Sequence, residues 1–66
     1  MSYKDKLEEI ENFLSSRKKQ YEKDIQFYIR RKENGEADEA DIIYLQMAES
    51  GILFVEELGN TFFNWE

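Results

Sequence analysis

The fold of this chain is decided by the stretch RRKENGEADEAD, residues 30–41, which ends one helix and begins another. The cations at 30–32 suit the negative end of a helix dipole, and Gly35 can take the left-handed conformation that follows a helix. Asp38 then has the side chain of an N-cap, with Asp41 at the third position of the next helix. Because the connection is so short, we expect an all-α fold, an antiparallel helical hairpin.

The first helix is predicted to be long, over about residues 3–33. Ser2 with Asp5 three positions later has the pattern of a capping box. At 100° per residue the apolar side chains keep one phase across LSSRKK at 14–19, so we expect one uninterrupted helix about 45 Å long. These side chains form a core-facing stripe: Tyr3, Leu7, Ile10, Leu14, Tyr21, Ile25, Tyr28 and Ile29.

The second helix, predicted over about residues 38–58, is too apolar for a hairpin alone. Of the seventeen residues in 42–58, eleven are apolar, and on a helical wheel most of them cover roughly 200°. One neighbouring helix leaves part of so wide an arc uncovered. We therefore expect the aromatic C-terminal tail at 59–66, or a second copy in a four-helix dimer, to complete the core.

A second interpretation of residues 52–66 is a β-hairpin. The segments ILFVEEL and TFFNWE flank the two-residue turn Gly59-Asn60, which is a recognised hairpin signal. Against it, Ile43 and Met47 share a helical face with Phe54, and an isolated two-stranded hairpin is marginal in water. The helix is the preferred prediction.

Length and composition allow one domain, residues 1–66, and disfavour catalysis. The 66 residues include no cysteine and no histidine, so disulfides and thiolate zinc sites are excluded and no metal or other cofactor is expected. The string DEAD at 38–41 comes without a phosphate-binding loop, and the acids at 33–41 lack calcium-loop spacing. We expect a non-enzyme. A charged start and the lack of a long apolar run predict a cytoplasmic protein with no membrane contact.

Charge is distributed unevenly along the chain. Residues 1–16 carry two lysines and four acids, residues 17–32 seven basic residues and two acids, and residues 33–66 nine acids with no lysine or arginine. An antiparallel hairpin sets the basic segment beside the acidic helix, which explains most of this asymmetry. The alternative is a nucleic-acid surface on Arg17, Lys18, Lys19, Lys23, Arg30, Arg31 and Lys32.

Two protein-binding surfaces are expected. Phe13 and Phe27 lie outside the main stripe of the first helix, two heptads apart, as a helix–helix contact with another subunit would require. With them we assign to a dimer interface Tyr44, Ala48, Gly51 and Val55. Aromatic side chains and acids near the C-terminus are assigned to a protein target: Phe54, Glu56, Glu57, Phe62, Phe63 and Trp65.

These features predict a small acidic interaction protein that occupies a protein target without transforming it. Short single-module proteins of this kind include phage-encoded or bacterial regulators and inhibitors, an analogy from size and composition. A nucleic-acid-associated protein, an acidic decoy that mimics DNA, and a scaffold subunit of a larger assembly are the alternatives.

Overall fold

The computed structural model describes residues 2–66 as two packed antiparallel helices; Met1, the first residue of the predicted domain, lies outside the described part. Helix α1 spans Tyr3–Glu33 and helix α2 spans Glu39–Phe63. Together they form a body of 49 × 20 × 15 Å. Residues 2–66 contain no β-strand, so the predicted all-α hairpin is confirmed.

Helix α1 begins and ends where the sequence indicates. The Oγ atom of Ser2 accepts a hydrogen bond of 3.2 Å from the backbone N–H of Asp5, which satisfies one of the free donors at a helix start. At the other end the N–H of Asn34 donates to the carbonyl of Arg30 at 3.0 Å. Gly35 follows with a φ of +72°, the left-handed conformation that favours glycine.

Helix α2 begins with a reciprocal pair of hydrogen bonds. The N–H of Asp41 donates to Asp38 Oδ1 at 2.9 Å, and the N–H of Asp38 donates to Asp41 Oδ2 at 3.2 Å. The Arg31 guanidinium also donates to this Oδ2, through Nε at 3.0 Å. The end of α1 is thereby bonded to the start of α2, and the loop between them has little freedom.

The two helices pack in a constant register. The residue numbers of facing pairs add to 72, as in the pair Arg31 and Asp41 and in the stacked rings of Tyr28 and Tyr44, whose centroids are 5.9 Å apart. The core between the helices is thin, and its buried apolar side chains are Leu14, Leu45, Ala48 and Val55.

The end of α2 corrects the sequence prediction. Helix α2 runs five residues beyond position 58, through Gly59 to Phe63, so most of the predicted tail is helical. The β-hairpin interpretation of residues 52–66 is wrong. The helix continues because glycine weakens an interior helical position by only about 1 kcal/mol, and it ends at Asn64, which adopts the left-handed conformation with φ 54° and ψ 47°.

Candidate interaction surfaces

The residue after the helix end, Trp65, is packed against the chain. Its Nε1 atom donates a hydrogen bond of 2.8 Å to Glu11 Oε2, and its ring lies on Gly59. The Lys18 ammonium is 5.8 Å from the centroid of the ring, within the range of a cation–π contact. Trp65 therefore packs against both helices near the end of α2.

The residues assigned to a protein target divide into two groups. Phe54, Phe62 and Glu57 are exposed on α2, with Phe54 62% exposed. Phe63 is half-buried, and Glu56 lies 3.9 Å from the Lys18 ammonium in a half-exposed ion pair. Trp65 also packs against the chain. The residues of this set that are accessible to a target are therefore Phe54, Glu57 and Phe62, all on α2.

The residues assigned to a dimer interface also divide into an exposed group and a group covered by the chain itself. Phe13, Phe27 and Tyr44 are exposed, with Phe13 63% exposed. Ala48 and Val55 are 4% and 6% exposed because they lie between α1 and α2 of the same chain.

Gly51, the sixth residue of this set, faces the ring of Tyr21, which leaves no room for a Cβ. A second chain reaches these three small residues only if the hairpin opens. In the closed hairpin they bring the two helices close together.

A stripe of uncovered apolar side chains runs along one face of α2, and of its members only Phe54 is assigned to a binding surface in the sequence analysis. It consists of Ile43, Met47, Phe54 and the half-buried Leu58. Their spacing of four, seven and four residues is the signal that identifies them, since it keeps one helical face. We call this stripe, together with Phe13 and Phe27 on the same side of α1, the apolar face.

Two clefts between the helices open on this side of the hairpin. One, of about 380 Å³, is lined by apolar residues including Ile10, Leu58 and Phe62. The other, of about 220 Å³, is more polar; Met47 and the side chains of Arg17 and Asp24 line it. The apolar face is thus an irregular surface with charged groups near its centre.

The basic residues are only partly free. Lys18 is paired with Glu56, and Arg31 lies 3.0 Å from Asp41 and 3.9 Å from Glu36. The hydrogen bond to Asp41 raises the pKa of Arg31, and contact with the Tyr21 side chain raises that of Arg17. The remaining cations are exposed: Lys19, Lys23, Arg30 and Lys32.

The carboxylate of Asp41 accepts hydrogen bonds from the backbone N–H of Asp38 and from the Arg31 guanidinium. The backbone N–H of Asp38 and, after it, the Arg31 guanidinium lower the pKa of Asp41 below its ordinary value. These bonds belong to the loop between the helices. They stabilise the fold.

Neither a metal-binding group of side chains nor a membrane-spanning helix occurs among residues 2–66. Within residues 2–66 no three carboxylates come together in a way that could hold a metal ion. Neither helix, as described, combines the length and the apolar character of a bilayer-spanning segment. No family model, curated protein or solved structure matches the chain.

Proposed function

We propose that the protein acts by binding another protein, as a small acidic regulator or inhibitor that occupies its target stoichiometrically and catalyses no reaction. One observation carries the proposal. Helix α2 exposes seven large apolar side chains, more than a solvated helix of a monomer needs: Ile42, Ile43, Tyr44, Met47, Leu53, Phe54 and Phe62.

The side of α2 that points away from α1 is the surface we assign to the target. Leu53 is 66% exposed there. Glu49, Glu56 and Glu57 lie four residues before it and three and four residues after it, so their carboxylates surround it on the helix surface. A target for this acidic surface has an apolar pocket bordered by lysine or arginine side chains.

Charge reversal on opposite sides of the hairpin tests the proposal. The immobilised chain would be used to capture proteins from cell lysate. The molar ratio of captured protein to immobilised chain gives the stoichiometry. We expect Glu49→Lys with Glu57→Lys to release the target, because both carboxylates lie on the assigned surface. The matched control, Lys19→Glu with Lys23→Glu, changes as many charges on α1 and should retain it.

Two results would overturn the proposal. One is the lack of any protein captured at a fixed ratio to the chain. The other is equal retention by the two double variants when circular dichroism shows that both are helical. We place the site of action in the cytoplasm, since a chain without cysteine suits a reducing compartment.

A nucleic-acid-binding role is the second candidate, and one observation favours it. Lys19, Lys23 and Arg30 are exposed and follow the spacing of a single helical row on the outer side of α1, over about 16 Å. Mobility of labelled DNA and RNA at two salt concentrations tests it. Retention that weakens steeply with salt and is lost in the Lys19→Glu and Lys23→Glu variant would favour this role over the protein target.

A further inference from the structure

We propose that a second copy of this chain covers the apolar face, with the two hairpins packed face to face and antiparallel. The two-fold axis crosses each hairpin at the level of Tyr21 and Gly51, so that α1 packs on α1 and α2 on α2. The inference goes beyond the proposed function, which places the target on another side of α2. The two share one observation, that α2 exposes more large apolar side chains than a solvated helix needs.

The exposed area of the single chain is large enough to need such a partner. The folded chain exposes 5371 Å², whereas a compact monomer of its mass, 8.0 kDa, exposes about 4,500 Å². The excess of about 900 Å² is close to the roughly 800 Å² that each partner buries in a standard protein–protein interface. Two hairpins stacked face to face also make a less flattened body than one of 49 × 20 × 15 Å.

The positions of the apolar residues on α2 favour a partner identical to the chain itself. Met47 and Phe54 lie at equal distances on either side of the midpoint between Ser50 and Gly51. Ile43 and Leu58 are centred on the same midpoint. An antiparallel two-fold axis there places Met47 of each chain beside Phe54 of the other, and Ile43 beside Leu58, so the stripe is complementary to itself.

Helix α1 has the same symmetry at the same level. Phe13 and Phe27 are centred on Gln20, and these are the two exposed phenylalanines of α1. Gln20 precedes Tyr21, whose ring lies on Gly51. The centres on the two helices therefore coincide to within about 2 Å along the hairpin, and one axis pairs Phe13 of each copy with Phe27 of the other.

Two charged residues of the apolar face pair under the same operation. Arg17 and Asp24 line one cleft with Met47, and neither forms a salt bridge within residues 2–66. They are centred between Gln20 and Tyr21, so the axis places Arg17 of each copy opposite Asp24 of the other. Two inter-chain ion pairs result.

The competing arrangement of two hairpins packs α2 of one copy on α1 of the other. It sets Arg17 and Asp24 against the apolar stripe of α2, where a charge without a partner is strongly unfavourable. In that arrangement the apolar stripe of each copy contacts charged side chains of the other. The α1-on-α1 arrangement avoids this, because like apolar groups meet and unlike charges meet.

Single cysteine variants test the arrangement, because the natural chain has no cysteine. Gln20 is exposed and lies at the proposed axis, so in Gln20→Cys the two thiols of a dimer approach each other closely enough for a disulfide or a short bis-maleimide link. Gln26 is also exposed but points to the opposite side of α1. We expect a covalent dimer from Gln20→Cys and none from Gln26→Cys.

Charge exchange provides a second readout on the same dimer. Arg17→Asp should raise the dissociation constant at least tenfold in sedimentation, and adding Asp24→Arg should bring it back to within a few-fold of the natural value. Lys19→Asp, the control, makes the same charge change outside the apolar face and should leave the dimer intact.

The outcomes separate this inference from the proposed function. A dimer that is linked through Gln26→Cys and not through Gln20→Cys overturns the arrangement while self-association stands. A chain that sediments as a monomer at all attainable concentrations overturns the second copy as the occupant. In that case the capture experiment still decides the proposed function, because Glu49 and Glu57 lie outside the apolar face.

Discussion

The indole ring of Trp65 lies directly on the Cα atom of Gly59, six residues before it and inside the last turns of α2. The backbone N–H of Trp65 donates to the carbonyl of Gly59 at 3.3 Å, and Nε1 donates to Glu11 on α1. The C-terminal residues are thus attached to both helices. A Cβ at position 59 would overlap the indole ring.

Replacing Gly59 with alanine should therefore destabilise the protein. Alanine gains about 1 kcal/mol of helix propensity, but displacing a packed ring typically costs about 1–3 kcal/mol, and here the hydrogen bond to Glu11 is lost with it. We expect a net decrease in the free energy of unfolding in urea. The fluorescence of Trp65, the sole tryptophan, should shift to the red as its ring becomes exposed.

A double-mutant cycle gives the control for this prediction. In a Trp65→Ala chain the ring is absent, so adding Gly59→Ala should be neutral or stabilising through helix propensity alone. If Gly59→Ala has the same effect with and without the indole ring, the packing of Trp65 on Gly59 is not what constrains position 59.

The orientation of α2 predicts unequal effects for two leucines. Leu45 is 8% exposed and Leu53 is 66% exposed, although they lie eight residues apart on one helix. Leu45→Ala should lower the free energy of unfolding by about 2–5 kcal/mol, which leaves so small a domain largely unfolded. Leu53→Ala should change it by less than about 0.5 kcal/mol. Equal effects in thermal unfolding would mean that another side of α2 faces α1.

Local signals were sufficient to predict the two helices. Ser2, Gly35 and the capping pair of Asp38 and Asp41 each act through bonds to neighbours a few residues away, so their meaning is independent of the rest of the fold. The uninterrupted first helix followed from a stripe that keeps its phase. The hairpin then follows from the short loop.

Two features depend on contacts between distant residues, and the sequence did not reveal them. Gly59 indicated a turn, yet it lies inside α2. A glycine suits this position because the ring of Trp65 occupies the space that a Cβ would need. The apolar arc of α2 was too wide to show which part faces α1. The small residues Ala48, Gly51 and Val55 decide this, because they let the helices approach closely, and the stripe of Met47 and Phe54 is left outside.

Asp41 makes a pH-dependent contribution to stability. The Asp38 N–H and the Arg31 guanidinium lower its pKa from the ordinary value of 3.8. A lowered pKa in the folded state means that the contribution is complete above pH 3.8 and is lost as pH falls through the folded-state pKa. We expect Asp41→Asn to reduce the free energy of unfolding at neutral pH and to have less effect in strong acid.

Urea denaturation of Asp41→Asn and the natural chain across the acidic range would measure this difference. Glu22→Gln, which removes the same charge from an exposed position in the middle of α1, controls for the change in net charge. A gap between Asp41→Asn and the natural chain that stays constant from neutral pH to strong acid would contradict the role given to the ionised carboxylate.

The left-handed end of α2 predicts opposite effects for the same substitution at two asparagines. Asn64 has a φ of 54°, which costs a residue with a Cβ about 1–2 kcal/mol but suits glycine. Asn64→Gly should therefore preserve or raise the free energy of unfolding, and Asn64→Ala should lower it by about 1 kcal/mol. Asn60 lies inside the helix, where alanine gains up to about 0.7 kcal/mol of propensity. Urea denaturation followed by circular dichroism compares the three variants, and an Asn64→Ala chain as stable as Asn60→Ala would show that α2 does not end in this conformation.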